Sequence, residues 1–276
     1  MFTLNCKGKL VSIDKAMVMG IINTSANSFY PASSMASTDA VVEQAGKMIM
    51  EGADFLDVGG QSSKPGSLPV SENTELDRVL PAIEAIVKNY PEVLISVDTY
   101  RSKVAAAAVN AGACIINDIS GGEMDAGMLA VAGSLRVPYI CMHMKGTPET
   151  MQQEPAYEDV TKEVCRFFIQ KVHACEASGI HDIIMDPGFG FGKSITQNFQ
   201  LLKNLPVFKM FNKPLLIGIS RKSTVYKTLG ISVDDALNGS TVLHTLALMN
   251  GANILRVHDV KEAKEAVLLF EQYTNA

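Results

Sequence analysis

Much is missing from this chain of 276 residues, and each absence closes off a class of protein. The sequence does not open on a basic segment followed by an apolar core and a small-residue cleavage site, so no secretory signal is expected. No uncharged apolar run approaches about 18 residues, so no membrane span is expected either. The five cysteines (Cys6, Cys114, Cys141, Cys165, Cys175) are odd in number and form no Cys-x-x-Cys pair. That argues against both a disulfide framework and a zinc site. Cys114 and Cys141 lie in strand-like runs and are expected as buried thiols. A basic surplus is also lacking. The formal net charge of −5 argues against non-specific nucleic-acid binding, while leaving room for a local cationic pocket. These features point to the cytoplasm.

What is present is a large apolar fraction, 47%, enough for one core. Residues 4–13 alternate weakly around Lys7-Gly8-Lys9 and predict a small hairpin. A repeating unit then begins: an apolar run, a polar cluster, a helix. The runs cover 16–22, 53–58, 94–97, 113–116, 138–142, 183–185, 214–219 and 253–257. Continuous apolar runs mark strands buried on both faces. Helices are expected over 39–50, 71–89, 100–111, 124–133, 157–178, 196–203, 234–250 and 259–273. About eight strand–helix pairs without a composition break predict a single-domain (β/α)8 TIM barrel over residues 1–276. A doubly wound open sheet is the alternative, but it usually has fewer units and a glycine-rich first turn.

The stretch Asp186-Pro187-Gly188-Phe189-Gly190-Phe191-Gly192-Lys193 places a carboxylate beside much exposed backbone. It is neither a Walker loop, because Pro187 stands where a glycine is required, nor a dinucleotide fingerprint. A parallel barrel gathers the C-terminal ends of its strands on one rim, where active sites lie. That rim reads Asn23, Asp57, Asp98-Thr99, Asn117-Asp118, His143, Asp186, Lys222-Ser223, Arg256 and His258. Any one of these could be a helix cap or a loop-fixing group; a whole ring of them over apolar strands argues for a site. Asp98, Asn117 and Asp186 suit a heterocycle with adjacent N–H donors. Lys222, Arg256 and His258 suit a carbonyl and phosphate oxygens. Asn23 could add one oxygen to a Mg²⁺ held mainly by phosphates.

The strings Met19-Gly20-Ile21-Ile22-Asn23, Asp57-Val58-Gly59-Gly60, Val97-Asp98-Thr99, Ile116-Asn117-Asp118, Asp186–Lys193, Ser220-Arg221-Lys222-Ser223 and Arg256-Val257-His258-Asp259 resemble, in order, those of the dihydropteroate synthases. The resemblance implies condensation of 6-hydroxymethyl-7,8-dihydropterin diphosphate with 4-aminobenzoate, releasing pyrophosphate, with Mg²⁺. It implies that Asp98, Asn117 and Asp186 hold the pterin edge and Lys222 its carbonyl, with Met142 and Phe191 beside the ring. Arg256, His258 and Asn23 are implied at the diphosphate and metal, and Ser223 at the aminobenzoate carboxylate. Lys222, Arg256 and His258 are the residues expected to act in the chemical step. Ser63 and Lys64, in the second loop, are implied at the substrate, with Lys64 replacing the family's arginine. The first loop also departs from the family pattern, with Asn27 and Pro31 where aspartates are usual, which suggests a slow chemical step. A methyltetrahydrofolate-type methyltransferase shares the barrel but has no use for a diphosphate clamp. A pterin-binding paralogue with little turnover is the other alternative. The helix near 240–249 is apolar nearly all round, and with the resemblance it suggests a homodimer.

Overall fold

The computed structural model describes residues 1–24, 35–61, 67–147, 151 and 156–276. A hairpin of β1 (Phe2–Cys6) and β2 (Lys9–Ile13) comes first. Its two-residue turn places Lys7 and Gly8 at φ 53° and 91°, the left-handed pair that joins antiparallel strands with the right twist.

Eight parallel strands follow: β3 (Met17–Asn23), β4 (Phe55–Gly59), β5 (Leu94–Asp98), β6 (Ile115–Asp118), β7 (Tyr139–Met142), β8 (Ile183–Asp186), β9 (Leu216–Ile217) and β10 (Ile254–Val257). They pair in the order β8-β7-β6-β5-β4-β3-β10-β9. A parallel bridge between Met185 and Leu215 joins the two edges, so the expected barrel forms. Around it run α1 (Met35–Met50), α2 (Glu72–Asn89), α3 (Ser102–Ala111), α4 (Met128–Leu135), α5 (Val160–Ala177), α6 (Ile195–Lys203), α7 (Ser223–Leu229), α8 (Leu237–Met249) and α9 (Val260–Asn275).

Alternation along each strand divides the core in two. Val58, Val97, Tyr139, Ile183, Ile217 and Leu255 face outward and pack with the helices. Met19, Phe55, Ile115, Ile140, Ile184, Leu216 and Ile254 face inward and meet Leu4, Cys6 and Ile13 of the hairpin. Each large side chain so buried contributes about 1.5–3 kcal/mol. The hairpin thus seals the lower end of the barrel, held there by the Asn5 N–H donating to Asp182 and by Lys7 Nζ donating to the Val109 carbonyl. Cys114 and Cys141 are buried free thiols, as expected.

Side-chain caps decide where several helices start. Ser71 accepts from the Thr74 N–H and Asp159 from the Lys162 N–H. Ser194 and Gln197 form a reciprocal capping box. The helix expected from Met124 begins instead at Met128, because Asp125 accepts the N–H groups of Gly127 and Ser102 and holds a turn there. Unexpected are α7 and a 3-10 helix over Leu205–Phe211. No helix among the described residues is long and apolar enough to cross a membrane.

Candidate active site

One or two pleats above the inward apolar tier, the barrel interior turns polar. Asp57, Asp98, Asn117 and Asp186 are all buried there, and Arg256 enters from β10. Asp57 Oδ2 accepts from Asn117 Nδ2 at 2.9 Å and from Arg256 Nε at 2.6 Å. A second guanidinium nitrogen of Arg256 donates to Asp98 Oδ2 at 2.6 Å. Asp186 Oδ1 accepts the Gly188 N–H at 2.8 Å. Each of the three predicted recognition groups is therefore anchored by one atom. Asp98 Oδ1, Asn117 Oδ1 and Asp186 Oδ2 make no hydrogen bond among the described residues. Three acceptors are thus pre-positioned without being consumed.

Burial pushes the Asp98 carboxyl up to about 7; the Arg256 guanidinium opposes the shift and Asp57 adds to it. Burial likewise raises Asp186, against the pull of Lys222. Lys222 supplies the facing cation. Its Nζ donates to the Phe189 carbonyl at 2.5 Å and lies 4.4 Å from the centre of the Phe191 ring. Burial lowers its pKa to about 8, with Asp186 opposing. Met142 and Phe191 share an apolar cluster with Tyr100, Ile119 and Met151, which offers a flat ligand a greasy wall beside the polar floor.

The Asp186–Lys193 loop owes its shape to two demands. A Cβ on Gly188, at φ 72°, would stand 1.9 Å from the His143 carbonyl oxygen, and one on Gly192, at φ 63°, 2.3 Å from that of Lys145. Only glycine fits either place. Lys193 then closes the loop from inside. Its buried Nζ lies 2.9 Å from His143 Nδ1, 2.8 Å from the Gly188 carbonyl and 3.0 Å from the Phe191 carbonyl. The His143 carbonyl is a fourth, longer contact at 3.4 Å; with the ammonium donating to Nδ1, His143 is neutral with its proton on Nε2. Burial and the positive Lys193 lower the His143 pKa to about 2.

Of the remaining rim residues, some are spent on structure. Asp118 points outward and accepts from Ser120, Gly122 and the Tyr139 hydroxyl. Thr99 accepts the Arg101 N–H. Arg221 grips Asp259 through two bonds of 2.8 Å and donates to the Val233 and Asp234 carbonyls. His258 stands beside Arg256 on the rim, and its Nδ1 is 3.2 Å from Ser220 Oγ. Ser223 opens α7, and Asn23 ends β3 with its side chain exposed. Ser63 and Lys64, with Asn27 and Pro31, lie outside the described residues. Asp57 is the group sequence reasoning left without a role. Its signal was available, since it stands two residues after the inward Phe55.

The sequence matches the family described as pterin binding enzyme over residues 19–258. It is 42% identical over 275 residues to the dihydropteroate synthase of Escherichia coli K12, covering 99% of this chain and 97% of that one. A crystal structure of the Yersinia pestis dihydropteroate synthase with a sulfonamide drug complex superposes with a TM-score of 0.94 at 39% identity, covering 100% of both chains. The Xanthomonas albilineans dihydropteroate synthase in complex with 7,8-dihydropteroate gives 0.89 at 36% identity, again over 100% of both chains.

Proposed function

The chain belongs to the dihydropteroate synthase family of pterin-binding enzymes, and we propose that its barrel mouth joins 6-hydroxymethyl-7,8-dihydropterin diphosphate to 4-aminobenzoate in folate biosynthesis. The observation that carries this reading is the set of three anchored acceptors, Asp98 Oδ1, Asn117 Oδ1 and Asp186 Oδ2, with the Lys222 ammonium on the same rim. A reduced pterin presents several N–H donors and one carbonyl on a flat ring. Charge-assisted bonds from such donors to carboxylates are the strong ones. Lys222 meets the carbonyl, and Met142 and Phe191 pack on the ring.

In the reaction the bond between the pterin methylene carbon and the bridging oxygen breaks, and pyrophosphate leaves with the electron pair. The amine of 4-aminobenzoate then bonds to that carbon and loses a proton. The demand on the protein is to position the partners and stabilise the leaving group, not to supply a strong base. Arg256 and His258 serve the diphosphate, Ser223 the aminobenzoate carboxylate, and Ser63 and Lys64 the substrate from the second loop.

Among the described residues no group of three His, Cys, Asp or Glu could hold a metal ion. The fit is instead to a Mg²⁺ carried mostly by diphosphate oxygens, with Asn23 adding one neutral oxygen. Such an ion would neutralise charge on the leaving group. Val242, Leu246 and Met249 of α8 are 40–57% exposed, and Met249 lines a groove of about 850 Å³ between α8 and α9 with Leu237, Thr241, Ala266 and Leu269. No rim residue lines that groove. A second copy of the chain is the occupant we assign to this face, giving a cytoplasmic homodimer; a monomer mass by light scattering at micromolar concentration would overturn it. The function itself is tested by mixing the protein with pterin diphosphate, Mg²⁺ and 4-aminobenzoate. Dihydropteroate and pyrophosphate are expected. Diphosphate binding without either product would favour a binding paralogue.

A further inference from the structure

We infer that Asp57 is a positioning residue of this pocket: from the barrel interior it sets which end of the Asn117 amide faces the ligand and holds the Arg256 guanidinium in place. The inference rests on the pterin reading and deepens it. Asp57 is 0% exposed. Its Oδ2 alone accepts both the Asn117 Nδ2 bond of 2.9 Å and the Arg256 Nε bond of 2.6 Å.

A carboxylate paired with a guanidinium can only accept hydrogen bonds, so the amide end of Asn117 that faces it must be nitrogen. Asn117 Oδ1 is thereby committed to the other side, as an acceptor for a ligand N–H. Without this constraint the amide could turn over and set N–H against N–H. The same oxygen fixes Arg256 at Nε, and Asp98 fixes a second nitrogen of that side chain. One buried carboxylate therefore orders a group expected at the ring of the ligand and another expected at its anionic tail.

Fold stability does not account for this residue. Asp57 Oδ1 is buried and has no hydrogen-bond partner among the described residues. A buried charge with an orphaned oxygen is an expensive way to fill a barrel, and an apolar side chain often serves stability as well or better. Its backbone pairs with Ile21 and Ser96, and that pairing does not depend on the side chain. The carboxylate is retained for what it orients.

The experiment is calorimetry on the full chain with 6-hydroxymethylpterin, which probes the ring alone. Asp57→Asn should weaken its binding on the order of ten- to a hundred-fold, the worth of a hydrogen bond to a charged group. The exchanged pair Asp57→Asn with Asn117→Asp keeps a donor below and an acceptor facing the ligand, and it should recover most of that loss. Asn117→Asp alone sets two carboxylates face to face. Relative to the unaltered protein, in which Asp98 and Asp186 titrate as well, its ring affinity should be low at neutral pH and recover as the pH falls, because one shared proton remakes the bond. This last arm also covers the case in which Asp57→Asn does not fold. Unchanged ring affinity in a folded Asp57→Asn, an exchanged pair no better than the single variant, or an affinity of Asn117→Asp relative to the unaltered protein that does not change with pH would each overturn the inference. If the unaltered protein fails to bind 6-hydroxymethylpterin, the pterin reading itself falls.

Discussion

Replacing Lys193 with methionine removes one charge from inside the Asp186–Lys193 loop while keeping nearly the same length and volume. The Phe191 carbonyl and His143 Nδ1, now 3.0 and 2.9 Å from the ammonium, would lose their donor, and the Gly188 carbonyl, 2.8 Å away, would keep only the Phe191 N–H. A buried acceptor left unsatisfied costs about 1–3 kcal/mol, so the two left bare cost roughly 2–6, and the bond lost at Gly188 adds about 0.5–1.5. Against this, the variant no longer buries an ammonium, which returns several kcal/mol. We expect a net loss of about 2–4 kcal/mol, within the range for breaking a buried polar network. At about 2–4 °C per kcal/mol for a chain of this size, Tm should fall by roughly 4–16 °C. The same loop carries Phe191 and the N–H that anchors Asp186 Oδ1, so pterin affinity should fall with stability. Differential scanning calorimetry and pterin titration read the two effects. A Tm within about 2 °C of the unaltered protein, with affinity unchanged, would refute the idea that Lys193 shapes the loop.

Asp186→Asn should weaken pterin binding by about 1.5–3 kcal/mol, since an amide puts an N–H donor where one of the two accepting oxygens was; intact affinity by calorimetry would remove Asp186 from the pocket. kcat/KM for the pterin diphosphate should be bell-shaped in pH. Protonating Asp98, near pH 7, removes an acceptor on the acid side, and deprotonating Lys222, near pH 8, removes the cation on the basic side. His244 is 1% exposed with both ring nitrogens unpartnered among the described residues, and burial lowers its pKa to about 4. Its folded pKa lies below the unfolded value, so its contribution is complete above about pH 6.5 and lost as pH falls toward 4. His244→Leu should therefore remove about 1.4 kcal/mol per pH unit of acid sensitivity in that window, read by urea unfolding at pH 7.5 and 5.

The strands and rim were legible because an apolar run ending in a polar residue has one meaning in a parallel barrel. The phase of each strand was legible in principle as well: Asn117 follows the inward Ile115 by two residues, whereas its neighbour Asp118 must face outward. What the chain order hides is who pairs with whom. Arg256 meets Asp57 across 199 positions and Lys193 meets His143 across 50. Nothing local separates Lys193, spent inside its loop, from Lys222, which lies against Phe189 and Phe191. His143 and Asp118 look like site residues for the same reason. Each ends an apolar run, and only the three-dimensional packing shows that another buried group has already claimed it. α7 went unread because its seven residues, STVYKTL, bury little beyond Thr224 and Val225.

The hairpin that seals the lower end of the barrel also has a consequence for biosynthesis. Translation delivers β1 and β2 before any strand of their seat exists. Leu4, Cys6 and Ile13 come to rest on side chains that include Ile184, Leu216 and Ile254, and Ile254 emerges some 240 residues after Ile13. At about 5–20 residues per second, the ribosome needs roughly 12–48 s to make that stretch. Through that interval the hairpin has only provisional partners. The hairpin appears before the strands it seats on and is among the last elements to dock, so chaperone binding or aggregation during synthesis should concentrate on it.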